Sequence, residues 1–149
     1  MTDATSASIP KAPLHLMIVG VMALLWNAVG AFDYVMTETR HASYMSSFNA
    51  DQLAYFNNFP KWAIATWAVA VWGGVAGSLL LLFRRRLAVV VFAVSLPSAA
   101  LTFIYNFGLS DGLRIMGGRA ALIMPAVVLL IGALLYLYSR WMRKTETLR

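Results

Sequence analysis

WGGVAGSLLLLFRRRLAVVVFAV, Trp72 to Val94, decides the fold. Three consecutive arginines, Arg84, Arg85 and Arg86, separate one apolar run that ends at Phe83 from another that begins at Leu87. The two runs extend over about 62–83 and 87–107. Each can cross a hydrocarbon core of roughly 30 Å at about 1.5 Å rise per residue. Two such runs joined by a short basic hinge read as a helical hairpin across a bilayer. Working outward, a third apolar run follows Pro13 over 14–34, and a fourth occupies 120–138. The chain therefore reads as an all-α integral membrane protein, a bundle of four transmembrane helices. Its 60% hydrophobic and 12% charged residues depart from soluble composition in the same direction.

One membrane domain is expected over 13–139, with an outer loop at 35–61. It is flanked by a small-residue, polar tail at 1–12, expected to be disordered, and by a basic tail at 140–149. The first apolar run is too long for a leader, and no clear basic run precedes it, so it reads as a span. Pro97 and Pro125 fall inside the third and fourth spans and are expected to kink them.

Orientation follows from the basic residues. Lys11, Arg84, Arg85, Arg86, Arg140, Arg143, Lys144 and Arg149 lie at one face; Arg40, Lys61, Arg114 and Arg119 lie at the other, among Asp33, Glu38, Asp51 and Asp111. Both termini are therefore expected on the cytoplasmic side. The net charge of +6 is a topology and anionic-lipid signal. It is not a nucleic-acid footprint, because no basic patch sits in a soluble module.

Chemistry-bearing patterns are sparse. There is no cysteine, so disulfides and thiolate chemistry are excluded. No nucleophile–base pair, paired carboxylates, phosphate loop or HExxH is present, and no catalytic residue is assigned. His15 and His41 fall at opposite faces and cannot share a metal; a haem or pigment on His15 would lack a second ligand. No cofactor or metal is expected.

The polar exceptions are in LLWNAVGAFDYVM, Leu24 to Met36. Asn27, Gly30 and Tyr34 share a helix face, with Asp33 one position round. Tyr105 and Asn106 sit at a similar depth on the third span. One account is interhelical hydrogen bonding that ties the first helix to the third, with Asp33 reaching Tyr105, Asn106 or Arg119. The other is an outward-facing polar pocket. On the second span, Gly73 and Gly77 form a GxxxG, while Ala70, Gly74 and Ser78 extend a neighbouring line of small residues, a signature of close helix packing, and Gly30 on the first span is expected to be a packing residue as well. In the outer loop, FNADQLAYFNNFP reads as a short helix with Asn49 and Gln52 as a capping box. Phe48, Leu53, Phe56 and Phe59, followed by Trp62, make it an aromatic lid or interface layer.

The halves partly echo each other: GSLLLLFRRR from Gly77 aligns with GALLYLYSRW from Gly132, and WNAVGAFD from Trp26 with YNFGLSD from Tyr105. A duplicated hairpin would be a parallel repeat.

LLWNAVGAFDYVM, YMSSFNADQLAYFNNFPKW and VWGGVAGSLLLLFRRRLAVVVF together resemble a family of small, uncharacterised bacterial four-span inner-membrane proteins. Some of its members carry the automatic label "sugar transporter". The resemblance covers roughly 14–108 and rests on the N-x-x-G, F-P-x-W and W-G-G-x-x-G-S strings. It implies a multi-pass protein of the bacterial inner membrane and transfers no catalytic residues.

The functional expectation is a non-catalytic packing or accessory subunit of a larger membrane complex. Its partners would be the lipid bilayer and another membrane protein or a second copy. The alternative is an oligomeric small-solute transporter with an outward polar pocket.

Overall fold

The computed structural model describes residues 13–149, so the expectation for residues 1–12 lies outside the described residues. The described chain is all-helical and forms a four-helix bundle. Four segments are long and apolar enough to cross a membrane: Leu14–Glu38, Lys61–Leu82, Leu87–Leu109 and Gly118–Lys144. The molecule is a multi-pass membrane protein.

In chain order the α-helices are α1 (Leu14–Glu38), α2 (Ala42–Met45), α3 (Ala50–Asn57), α4 (Lys61–Leu82), α5 (Leu87–Ile104), α6 (Gly112–Ile115) and α7 (Ile123–Lys144). A π-helical turn, Tyr105–Leu109, extends α5, and a 3-10 turn, Gly118–Leu122, leads into α7. The arginine hinge and the two ends at 14 and 144 lie at one end of the bundle, the basic end. The segments carrying α2, α3 and α6 lie at the other, the loop end.

The spanning helices are arranged as an open arc, with α4 between α1 and α5, and α7 against the far side of α5. Small residues set the approach distances. A side chain at Gly20 would overlap Leu82, one at Gly73 would meet Ser95, and one at Gly77 would strike the Phe92 ring. The α1–α4 and α4–α5 contacts are therefore close enough for backbone-level packing, the mode that holds helices together in lipid. The buried core collects at the basic end: Leu16, Ala23, Leu81, Ala88, Val89, Phe92, Leu135, Met142 and Leu148.

Helix ends follow one pattern. After α1, α4 and α7 the chain turns through a non-glycine residue in the left-handed region: Arg40 (φ 51°), Arg84 (φ 58°) and Glu146 (φ 55°). The next amide returns to a carbonyl in the last turn: His41 to Met36, Arg85 to Leu80 and Thr147 to Met142. These six-to-one bonds satisfy carbonyls that the helix end would otherwise orphan.

Two expectations need correcting. Pro125 is the third residue of α7, where a missing N–H would have no intrahelical partner, so it opens the helix and does not kink its interior. The stretch 140–149 is not a free tail. It is helix to Lys144, and Leu148 is then fully buried. The Arg149 amide donates to Arg84 O (2.7 Å), and the Arg86 amide donates to Arg149 O (2.9 Å). The Arg84 and Arg86 side chains donate to Thr147 O and Leu148 O.

Candidate functional site

Because α1 and α7 sit at the two ends of the arc, a gap is left between them. At the basic end it is closed: His15 Nδ1 lies 2.6 Å from the Tyr138 hydroxyl, and the His15 ring stacks on Trp141. Toward the loop end the helices stand apart and enclose a cleft of about 640 Å³. Its walls are α1 (Trp26, Asn27, Gly30, Asp33) and α7 (Met124, Pro125, Val128, Gly132). Its floor comes from α4 and α5 (Trp67, Gly74, Phe92, Ser95, Leu96, Thr102), and Tyr44, Phe56, Phe59 and Met116 roof it.

Three of the five polar residues singled out from sequence line this cleft, namely Asn27, Asp33 and Asn106; Tyr34 and Tyr105 do not. Asn27 Nδ2 donates to Ala23 O (2.8 Å) and to Ser78 Oγ (3.2 Å), and Ser78 in turn donates to Gly74 O. The Asn27 side-chain oxygen occupies the space that a Gly74 side chain would need. Tyr34 packs edge-on against Trp67 (4.9 Å). Asn27 and Tyr34 therefore tie the first spanning helix to the second, not to the third.

Asp33 is bonded to neither Tyr105, Asn106 nor Arg119; its carboxylate accepts from the Tyr44 hydroxyl. The reason is local. The left-handed turn at Arg40 sends α2 back over the end of α1, so a residue eleven positions on reaches Asp33. Burial first, and then the bond to and charge of Asp33, push the Tyr44 phenol up to about 12.

On the opposite wall, Asn106 Nδ2 donates to Thr102 O and its Oδ1 accepts from the Tyr55 hydroxyl (2.9 Å). Tyr55 also lies 2.7 Å from Ser110 Oγ. Ser110 Oγ also lies 2.9 Å from Asn106 O, to which it donates, so Tyr55, Ser110 and Asn106 form one closed hydroxyl–amide cluster. Burial raises the Tyr55 pKa, while the Ser110 bond opposes that shift. Deeper in, Thr66 and Thr102 hydroxyls are 2.9 Å apart, and Ser95 Oγ donates to Ala70 O. Gly112 sits so close to the Asn106 carbonyl that any side chain there would overlap it.

The lid is a continuous aromatic assembly. Phe32 meets Tyr44, Tyr44 meets Phe48, and Phe48 meets Phe56. Tyr55 contacts both Phe56 and Phe59, and Phe59 leads on to Trp67 and Tyr105. Trp62 packs on Tyr105 at 5.2 Å. The Asn49–Gln52 capping box is present in full, and Leu53 is half-buried on α3. Gly30 meets nothing: a side chain there would project into open space in the cleft. It is not a packing residue, whereas Gly73, Gly74, Gly77 and Ser78 are.

Sequence reasoning missed Tyr55 and Ser110 as partners of Asn106, and the cross-helix bonds of Ser95 to Ala70 and Thr102 to Thr66. Hydroxyls on apolar helices bond their own backbone by default, so nothing marks the ones that cross to a neighbour. It also missed the His15–Tyr138–Trp141 closure, in which His15 serves as a tie between α1 and α7. Among the described residues no group of three or more His, Cys, Asp or Glu could hold a metal. Among the described residues no lysine, arginine or histidine lines the cleft, and Asp33 is its one carboxylate. No family model, curated protein or solved structure matches this chain.

Proposed function

We propose that the chain acts without catalysis, as a membrane protein that holds a small apolar or amphipathic guest in the cleft between α1 and α7. The cleft carries this reading. Its volume of about 640 Å³ falls among ligand sites, which run roughly 300–1,000 Å³. Most of its lining is carbon, and a few polar groups are fixed by bonds to neighbouring elements: Asn27 by Ser78, Asn106 by Tyr55, Asp33 by Tyr44. Pre-bonded polar groups on an apolar wall are what orient a guest. The gap between α1 and α7 gives lateral access from lipid. Continuous passage to the basic end would require the His15–Tyr138 contact to part, so holding is favoured over permeation.

The setting proposed is the bacterial inner membrane with the basic end cytoplasmic, as the arginine distribution argues. Labelling of single cysteines placed at each end, in a chain with none of its own, tests that orientation.

Extraction in a neutral detergent followed by native mass spectrometry tests the function. The expected result is the chain carrying a small bound mass that is lost in Gly30→Phe, a substitution that fills the cleft where the wild-type backbone meets open space. Recovery of the bare chain, with no uptake of an added apolar fluorophore, would defeat the reading.

An accessory role has one observation of its own. The loop-end half of α7 is thinly packed, with Ile123 at 67% and Leu130 at 60% exposure. A partner helix that covered this face would co-purify in fixed ratio in the same experiment.

A further inference from the structure

We propose that the guest of the cleft is an amphipathic monovalent cation, an ammonium or phosphonium centre with apolar substituents, whose charge is met by Asp33 and the aromatic lid. The proposal rests on the reading of the cleft as a guest site and names the chemistry of the head group.

Charge points first to a cation. Among the described residues Asp33 is the one carboxylate lining the cleft, no basic residue lines it, and Asp33 forms no ion pair. Its hydrogen bond comes from a neutral phenol, Tyr44, which supports the carboxylate without cancelling its charge. A carboxylate has about four lone-pair sites, so one bond leaves acceptor capacity free. In a cavity that opens toward hydrocarbon, such a charge attracts a counter-charge strongly and repels anions.

Aromatic character points the same way. Phe32, Tyr44, Phe56, Phe59 and Trp67 share the cleft lining with Asp33. Ring contacts tie Phe32 to Tyr44, and Phe59 in the roof to Trp67 in the floor. Aromatic rings attract cations through their quadrupoles, and cages of such rings suit quaternary centres that offer no N–H to a conventional acceptor. A strongly hydrated inorganic cation gains little from such walls. A cation with apolar substituents also fills the apolar floor at Phe92 and Leu96, which a small ion would leave empty.

Tetraphenylphosphonium is the probe, with triphenylphosphine oxide as its uncharged counterpart. Binding to the full chain in neutral maltoside micelles would be measured by calorimetry. The expected result is saturable cation binding at one per chain, weakened about tenfold or more by Asp33→Asn. Binding of the phosphine oxide should be unchanged by that substitution. Tyr44→Phe, which keeps the carboxylate, should retain cation binding within a few-fold, and Gly30→Phe should abolish binding of both probes. Thermal melts identify any variant that fails to fold; asparagine can still accept from Tyr44, so Asp33→Asn keeps that contact. Equal affinity for the two probes, with Asp33→Asn silent, would overturn the head-group assignment and leave the apolar-guest reading standing. Cation binding indifferent to Gly30→Phe would place the probe outside the cleft and overturn the proposal. Failure of both probes to bind would remove the cleft reading with it.

Discussion

Asn27 shows how an amide is made affordable inside an apolar helix. Both of its N–H protons are used, one on its own helix at Ala23 and one on Ser78 of α4, while its oxygen rests where Gly74 has no side chain. Interhelical bonds of this kind are worth about 0.6–2 kcal/mol in membranes, so the fit between Asn27 and Gly74 matters as much as the bond. Gly74→Ala must displace the amide, and overpacking of this sort costs about 1–3 kcal/mol. Gly30→Ala on the same face as Asn27 meets nothing and should be neutral, or stabilising by up to about 1 kcal/mol through helix propensity. Paired melts in neutral detergent check the contrast; equal shifts for the two alanines would refute it. The residue types were legible in the sequence: Asn27, Gly74 and Ser78 were each singled out. Their mutual pairing was not, because periodicity gives the face of a helix and not the neighbour it meets. Asp33 illustrates the same limit, since its partner Tyr44 depends on a backbone turn at Arg40 that no side-chain pattern announces.

Elements were legible where their signals are local. The capping box at Asn49 and Gln52 needs only four residues, and it formed as read. The spans were long and apolar, so their existence followed from length; their ends moved wherever a turn was built from unexpected residues. Gly117 (φ 108°) and Gly118 (φ 72°) start the 3-10 turn that leaves Pro125 in the first turn of α7. The last residues were misread because five of the residues over 140–149 carry charge, while the packing residue beyond the end of α7 is a lone leucine. Leu148 is fully buried in the core that also holds Leu16, Leu81 and Ala88, and the backbone pairing of Arg149 with Arg84 and Arg86 holds it there. Leu148→Ala should therefore cost about 2–5 kcal/mol, in the range of a buried core leucine. Melts of this variant against Leu137→Ala, on the half-exposed face of α7, provide the check. Equal and small losses would mean that the segment is only loosely held.

At the scale of the whole molecule, stability and opening are divided between the two ends. Lipid supplies no hydrophobic drive between helices, so close packing and hydrogen bonds must hold the bundle. The tight contacts of Gly20 with Leu82 and Gly77 with Phe92, the buried core and the His15–Tyr138 tie are concentrated toward the basic end. Toward the loop end, α1 and α7 are separated by the cleft, and the buried residues of α7, Leu135, Ser139 and Met142, all lie in its basic-end half. A structure fastened at one end and parted at the other should hinge about the fastened end, with α7 as the moving element. The chain has no cysteine, so spin labels at Ala28→Cys and Ala126→Cys, exposed positions outside the cleft lining, would report the α1–α7 separation without background. The expected distance distribution is broad in the empty protein and narrows when tetraphenylphosphonium fills the cleft. Combining the labels with His15→Ala and Trp141→Ala should broaden it further, because that pair removes the stacking and the hydrogen bond that close the basic end. A single narrow distance in every state would mean that the arc is rigid, and access to the cleft would then have to come through the aromatic lid.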